Sequence, residues 1–355
     1  MNPSFWKNKK VFITGHTGFK GSWLSLWLQS AGAQLVGYAL PPPTSPNLFT
    51  DAHVEEGMKS IIGDIRDLQL LKKSIAEHRP EIIIHMAAQT VVRTSYDNPV
   101  ETYETNVMGT VNILEALRSA PSVKVFVNVT TDKCYENHEW SWGYRETDSL
   151  GGFDPYSNSK ACSELVTSAY RNSFFSSGNT TIAIATARAG NVIGGGDWTK
   201  DQLIPDIFRA LLTDKSILLR SPKAVRPWQF VLEPLDGYLT LAEHLWDTGS
   251  KYAEAWNFGP SYDDAKPVEW IAEKINQLWG GKHLIEIDTT NQPHEAGYLK
   301  LDASKATAHL QWHPMLRLSE ALEWVTEWYS VYHQKNNISE LTRQQIARYT
   351  ALEKR

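Results

Sequence analysis

A doubly wound parallel α/β sheet with a smaller C-terminal lobe is the architecture this sequence predicts. Three observations carry that expectation. Short β-branched runs alternate with helical patterns from the N-terminus to about residue 130, a glycine-rich turn separates the first such run from the first helix, and glycine, proline and tryptophan clusters replace the alternation from about Gly190. The 355 residues fit two domains, or one large unit with an appended lobe, on a loose prior of about 150 residues per domain. With 42% apolar and 21% charged residues the chain can build an extensive core, which excludes disorder over most of its length.

The elements follow in order. Val11 to Thr14 is a β-branched run, and Trp23, Leu24, Trp27 and Leu28 recur at helical spacing just after the glycines. Gln34 to Ala39 reads as a second strand. Pro41, Pro42, Pro43 and Pro46 then break the chain, so a loop and not another helix is expected there. Further strands are expected at Ser60 to Ile62, Ile82 to His85 and Val123 to Val129, with helices around Leu68 to Ala76 and Asn106 to Leu117. Such alternation implies right-handed crossovers and helices on both faces of a parallel sheet. Residues 156–170 read as a helix and Ile182 to Ala187 as a buried strand. The expected division is residues 1–189 as the first domain, with returns near 230–260, residues 190–333 mainly as a lobe that closes over a ligand, and residues 334–355 as a polar tail. Ile338, Leu341, Ile346, Tyr349 and Leu352 in that tail suggest a surface or subunit-contact helix.

Composition narrows the function classes. Thirty-five basic against 40 acidic residues give a net charge of -5, without the footprint of a non-specific nucleic-acid binder. No apolar run approaches the roughly 18 residues of a membrane span, and no secretion signal is evident. Two cysteines, Cys134 and Cys162, make no disulfide framework, so a reducing, cytoplasmic setting is expected. The eleven histidines show no metal-ligand spacing, and no metal is expected.

The glycine turn reads Gly15-His16-Thr17-Gly18-Phe19-Lys20-Gly21 between strand and helix. Glycine at the first two positions lets the backbone turn tightly and approach a pyrophosphate at the positive end of a helix, while Gly21 permits close packing of helix on sheet. This is a dinucleotide-binding, Rossmann-type signal, and all seven residues are candidates for cofactor contact. The acidic residue that often follows the second strand is missing, since no charged residue lies between Lys20 and Asp51. Asp64 and Ile65, past the third strand, are candidates for the adenine end, with a helix cap at Asp64 or Asp67 as the equal alternative. Ala87, Ala88 and Gln89 end the fourth strand where a cofactor would pass, although small residues there also suit plain sheet packing.

Tyr156 and Lys160 lie four residues apart, hence on one helical face. A phenol with a pKa near 10 is a poor base at neutral pH, and bringing it down by about three units takes roughly 4 kcal/mol of differential stabilisation. An adjacent ammonium and a nicotinamide cation together suffice for that. Thr131-Asp132-Lys133 ends a buried strand abruptly, offering a hydroxyl to hold a substrate, an acid and a base.

These motifs resemble the extended short-chain dehydrogenase/reductases of the nucleotide-sugar class, over nearly the whole chain. The resemblance rests also on Ala187-Arg188-Ala189-Gly190-Asn191-Val192-Ile193-Gly194, Asn257-Phe258-Gly259-Pro260 and Leu301-Asp302-Ala303-Ser304-Lys305. In that family a hydroxyl residue followed by Asp and Glu marks the 4,6-dehydratases. Lys133 in the third place resembles the members that act on CDP-glucose, as do the proline run from Leu40 to Thr44, the stretch His85 to Pro99, and Arg226-Pro227-Trp228-Gln229. Inverting UDP-N-acetylglucosamine dehydratases also carry Asp-Lys.

The resemblance implies a hydro-lyase that uses NAD without consuming it and takes CDP-glucose as its small-molecule substrate, supplying a deoxysugar for surface polysaccharide. Tyr156 and Lys160 then contact the cofactor as well as the sugar, and Thr131, Asp132 and Lys133 serve catalysis. Arg93, Asn191 and Arg226 are the expected diphosphate ligands, since planar guanidinium and amide donors match phosphate oxygens. For the arginines a salt bridge is the alternative. Arg188 is balanced between substrate contact and a domain-interface ion pair, and His85 and His16 are expected to pack or lie near phosphate. A homodimer or homotetramer is implied, with apolar helical faces at Val107, Val111, Leu114, Leu165 and Val166 as its contact and the sheet core as the alternative for each of these residues. Another nucleotide-sugar dehydratase, a 4-epimerase and a non-catalytic NAD-binding sensor or scaffold are the competing readings.

Overall fold

The structure is a computed structural model that describes residues 1–176, 182–290 and 297–352. Seven parallel strands form its central sheet: β1 (Lys10–Thr14), β2 (Gln34–Ala39), β3 (Lys59–Ile62), β4 (Ile82–His85), β5 (Val125–Val129), β6 (Ala183–Ala189) and β7 (Ala255–Phe258). Their spatial order is β7-β6-β5-β4-β1-β2-β3. The order reverses at β1, where Val11 pairs with Leu35 of β2 on one side and Ile82 of β4 on the other. A crevice therefore opens at the carboxyl ends of β1 and β4.

Alternating side chains divide the core between the two faces. Val11, Ile13, Ile82, Ile84, Val125 and Val127 point to one face, where Trp23, Leu24 and Trp27 of the helix Phe19–Ser30 cover them. Phe12, Ile83, Phe126 and Ile184 point to the other, under Leu71 and Ile75 of the helix Leu68–His78 and Ile113 and Leu117 of the helix Gly109–Leu117. On β6 the first face carries only Ala183, Ala185, Ala187 and Ala189, small enough for close packing of the helix Leu232–Thr248, which supplies Leu235, Tyr238, Leu239 and Ala242 to the same core. Both expected returns of the later chain, this helix and β7, thus join the sheet, β7 in parallel register with β6.

Beyond β6, three two-stranded ladders and the helices Leu203–Leu212 and Val268–Trp279 build the region over the crevice. Among the described residues no helix is long and apolar enough to cross a membrane. Cys134 is buried, Cys162 is half-buried and both are free thiols.

Three expectations need correction. The stretch after the proline run is not all loop: Asn47 caps a single helical turn, Leu48–Asp51, and a 3-10 turn follows at Val54–Gly57. The polar tail is no surface appendage. Its helix Ile338–Leu352 buries Ile338, Leu341, Ile346 and Tyr349 within the same chain. Tyr349 packs edge-on against Trp27 and donates to the Glu233 carboxylate at 2.8 Å, and the Trp328 indole donates to Thr342 at 3.0 Å. Aromatic partners far off in sequence decide this, and they are invisible in the tail's own composition. Lastly, Leu114 is fully buried in the sheet core, so it belongs to no subunit contact; Val107, Val111 and Val166 are half-buried and Leu165 is exposed.

Candidate active site

The cleft at the carboxyl ends of the strands encloses about 1090 Å³. That is at the upper end of the roughly 300–1,000 Å³ usual for a small-molecule site.

One end is the glycine loop. Gly15 sits at φ +77°, and a Cβ there would fall 2.8 Å from the Ala87 nitrogen; one at Gly21 would fall 2.1 Å from the Gly15 carbonyl oxygen. Both positions therefore require glycine. A Cβ at Gly18 would come no closer than 3.4 Å to this chain, so the missing side chain there keeps room on the cleft side. Thr17 donates to the Leu40 carbonyl at 2.8 Å, tying the loop to the proline turn. The Thr14 hydroxyl accepts from the Met86 and Ala87 amides at 3.0 and 3.1 Å, holding the ends of β1 and β4 together. Gly15, Thr17, Gly18, Phe19, Lys20, Gly21, Asp64, Ile65, Ala87, Ala88 and Gln89 all line the cleft. Asp67 is the cap of the following helix, accepting from the Gln69 and Leu70 amides. Asp64 is instead paired with Arg66 at 2.6 Å, which holds its carboxyl below the usual range. This cradle fits the diphosphate of a dinucleotide: glycines where a Cβ would collide, at the N-terminus of a helix.

His16 departs from the expected cofactor contact. Its imidazole is fully buried, bonded to Ser60 at 2.8 Å and edge-on to Phe49, and it does not line the cleft. Burial lowers its pKa to about 4, so it packs the loop as a neutral ring. Gly37 on β2 has no side chain to occupy that space, where a Cβ would lie 2.3 Å from the ring. His85 is likewise neutral, lowered by burial to about 3 and bonded to Thr14 at 2.7 Å.

The other end is the Tyr156 helix, Pro155–Tyr170. Asp154 caps it by accepting from the Ser157 amide at 2.9 Å, with Pro155 at the first helical position. Tyr156 and Lys160 both line the cleft, beside Thr131, Asp132 and Lys133. Thr131 joins the group: it donates to Asp132 Oδ1 at 3.0 Å, and its hydroxyl favours the ionised form of the Tyr156 phenol. Asp132 Oδ2 is buried without a partner among the described residues, and burial raises its pKa against the opposing charge of Lys133. Gly190 makes space for it, since a Cβ there would lie 3.1 Å from Oδ2.

Lys160 donates to the Val129 carbonyl at 2.9 Å, and burial brings its pKa down to about 8. Burial holds the Tyr156 phenol above its ordinary value, opposed by the Thr131 hydrogen bond. The expected depression by Lys160 is thus not a property of the chain alone. Charge brought by bound ligands has to complete it.

Asn191 lines the cleft with its Oδ1 buried and unpartnered among the described residues. The two candidate arginines do not line it. Arg93 faces Asp201 at 3.7 Å, and Arg226 is buried with its charge felt by Asp132. Arg188 is resolved as structural: it grips Glu164 through two bonds of 2.9 Å and donates to Tyr135 at 2.7 Å, all buried. Thr130 and Thr186 also donate to Glu164, so this pair anchors the base of the Thr131 turn. Breaking such a pair costs about 3–5 kcal/mol. Sequence reasoning missed the segment from Asp197 to Pro205, which lines the far wall with Trp198 and Lys200. The Gly194-Gly195-Gly196 run before it was the available signal: a Cβ at Gly195 would meet Trp328 at 1.9 Å, so the chain turns there into the cleft.

The glycine cradle at one end and the Thr131-Asp132-Tyr156-Lys160 group at the other define a dinucleotide-dependent enzyme of the short-chain dehydrogenase/reductase class. The chain belongs to the family described as GDP-mannose 4,6 dehydratase, whose model matches residues 12–325. It is 52% identical over 352 residues to the CDP-glucose 4,6-dehydratase of Salmonella typhimurium, covering 98% of each chain. Among solved structures, the dTDP-glucose 4,6-dehydratase of Bacillus anthracis in complex with NAD superposes with a TM-score of 0.77 at 24% identity, over 92% of this chain and 98% of that one. The UDP-glucose 4-epimerase of Thermotoga maritima with UDP-glucose gives 0.80 at 19%, over 91% and 99%. At these identities the two structures speak for the fold alone.

Proposed function

We propose that this chain is a CDP-glucose 4,6-dehydratase that holds NAD in the cleft and forms CDP-4-dehydro-6-deoxyglucose and water. The observation that carries the reading is a buried acid, Asp132, held by Thr131 at 3.0 Å, in the same stretch of cleft wall as Tyr156 and Lys160. A 52% identical relative of that name supports the choice of sugar nucleotide.

Gly15, Gly18, Gly21 and the amides that follow hold the dinucleotide, with Asp64 and Ile65 at its adenosine end. When bound, NAD supplies a hydride acceptor for C4 of the sugar and a hydride donor for C6. Tyr156 takes the proton from the 4-hydroxyl, held in place by Thr131. The resulting 4-ketone acidifies the C5 proton, which Lys133 removes. Asp132 gives its proton to the 6-hydroxyl, which leaves as water. Asn191 is assigned to the diphosphate, because its amide is polar, lines the cleft and has an unpartnered oxygen.

Incubation with a panel of sugar nucleotides tests the assignment. A 4-ketosugar is expected from CDP-glucose, with dTDP-glucose, UDP-glucose and GDP-mannose at least about tenfold poorer in kcat/KM. Preference for another nucleotide would overturn the substrate, and inversion at C4 without loss of water would make the chain an epimerase.

We infer further that two copies pair through the exposed apolar side chains Val100, Met108 and Leu165, on the adjacent helices that flank Tyr156. Light scattering should return twice the chain mass at micromolar concentration. A monomer there rejects the pairing.

A further inference from the structure

One half-buried basic group at the reacting end has no part in the steps above. Lys20, the sixth residue of the glycine loop, lines the cleft and donates from its ammonium to the Tyr238 hydroxyl at 3.0 Å. Tyr238 is fully buried on the helix Leu232–Thr248, which crosses beneath β5 and β6. The ammonium therefore sits at the Tyr156 end of the cleft and not at the adenosine end, and the groups that act on it agree with this. Lys160 repels its charge and Asp132 attracts it, while Tyr156 and Asp132 both act on Tyr238. A hydride can pass between the sugar and a nicotinamide only where that ring meets Tyr156 and Lys160, so Lys20 shares its neighbourhood.

We propose that Lys20, backed by Tyr238, sets the balance between oxidised and reduced nicotinamide in this cleft by placing a titratable positive charge beside a ring that is positive when oxidised and neutral when reduced. The proposal rests on the reading of the cleft as an NAD site. Charge repulsion disfavours the oxidised ring whenever Lys20 is protonated and vanishes when it is not, while the reduced ring is indifferent. The bound couple is thereby poised toward reduction, the direction in which the reaction must begin. Part of Lys20 stays accessible from the cleft, while burial, reinforced by Lys160 against Asp132, brings its pKa to about 7. Tyr238 suits both states, since its hydroxyl can accept from the ammonium or donate to the free amine. Burial keeps the Tyr238 phenol protonated.

The test is equilibrium binding of NAD and of NADH, without sugar, to the parent, Lys20→Met and Lys20→Arg at roughly pH 6 and roughly pH 9. In the parent, the ratio of the NAD to the NADH dissociation constant should fall about tenfold between the two pH values. Lys20→Met should show the low ratio at both. Lys20→Arg, whose charge does not titrate, should show the high ratio at both. Lys160, lowered to about 8, titrates nearby, and the contrast between variants separates the two lysines. A parent ratio that does not move with pH would overturn the proposal, and this arm needs no variant to fold. So would a Lys20→Arg ratio that tracks the parent's change, or a Lys20→Met ratio within about twofold of the parent near pH 6. Should the parent bind neither nucleotide, the reading of the cleft falls and the proposal falls with it; binding of both with an unmoved ratio sinks the proposal alone.

Discussion

Tyr156→Phe should bind CDP-glucose about as well as the parent and lose turnover by a factor of about 10² to 10⁴, the usual worth of a positioned general base. The substitution removes one hydroxyl and leaves the ring, so the buried environment of Tyr156 keeps its packing. What is lost is the group proposed to accept the 4-hydroxyl proton. Because burial holds the free phenol above its ordinary pKa, the parent's activity should also depend on the ligand charge that brings it down. No reduced nicotinamide should form in the variant, since nothing takes the first proton. Isothermal titration and a stopped-flow absorbance trace separate the two effects. Unchanged turnover would move the base to another residue.

Much of the fold was legible because the strands are buried on both faces and leave β-branched runs at nearly their observed bounds. β2 and β4 are found as expected, and Val123 and Lys124 alone fall outside β5. The glycine loop and the Tyr156 helix were legible for a related reason, since both are local motifs whose spacing carries their geometry. What escaped was set by distant partners. Ile338–Leu352 reads as a polar surface helix until Trp27, Trp328 and Glu233 are placed against it. Arg188 reads equally as a ligand or a tie until Glu164, on another element, takes its Nε and Nη2 and Tyr135 takes its Nη1. His16 sits inside a cofactor motif yet turns inward, because Gly37 and Ser60 on neighbouring strands leave it a pocket. Arg226 and Arg93 carry the right chemistry for a diphosphate, but neither lines the cleft.

The arrangement also explains why Asp132 and Lys133 can differ in role despite being neighbours. Thr131 caps a short 3-10 turn, Asp132–Cys134, that directs Asp132 inward to full burial while Lys133 keeps partial exposure on the cleft. The inward carboxyl is the one with a raised pKa and an unpartnered oxygen. In the proposed reaction this carboxyl protonates the leaving hydroxyl, and the more open amine collects the carbon-bound proton. Arg188 and Glu164 hold the strand end beneath this turn through Thr130.

The central claim is that oxidation at C4 and loss of the 6-hydroxyl are separate events served by different side chains. Asp132→Asn tests it most directly, because the amide fills the carboxyl's place but has no acidic proton to give. Tyr156, Thr131 and Lys160 remain, so CDP-glucose should still be oxidised at C4, while net dehydration slows by about 10² to 10⁴. Mixed with CDP-glucose and NAD, the variant should develop and hold the near-ultraviolet absorbance of reduced nicotinamide, which the parent shows only transiently. Formation of the 6-deoxy product at the parent rate, with no build-up of that absorbance, would contradict the account.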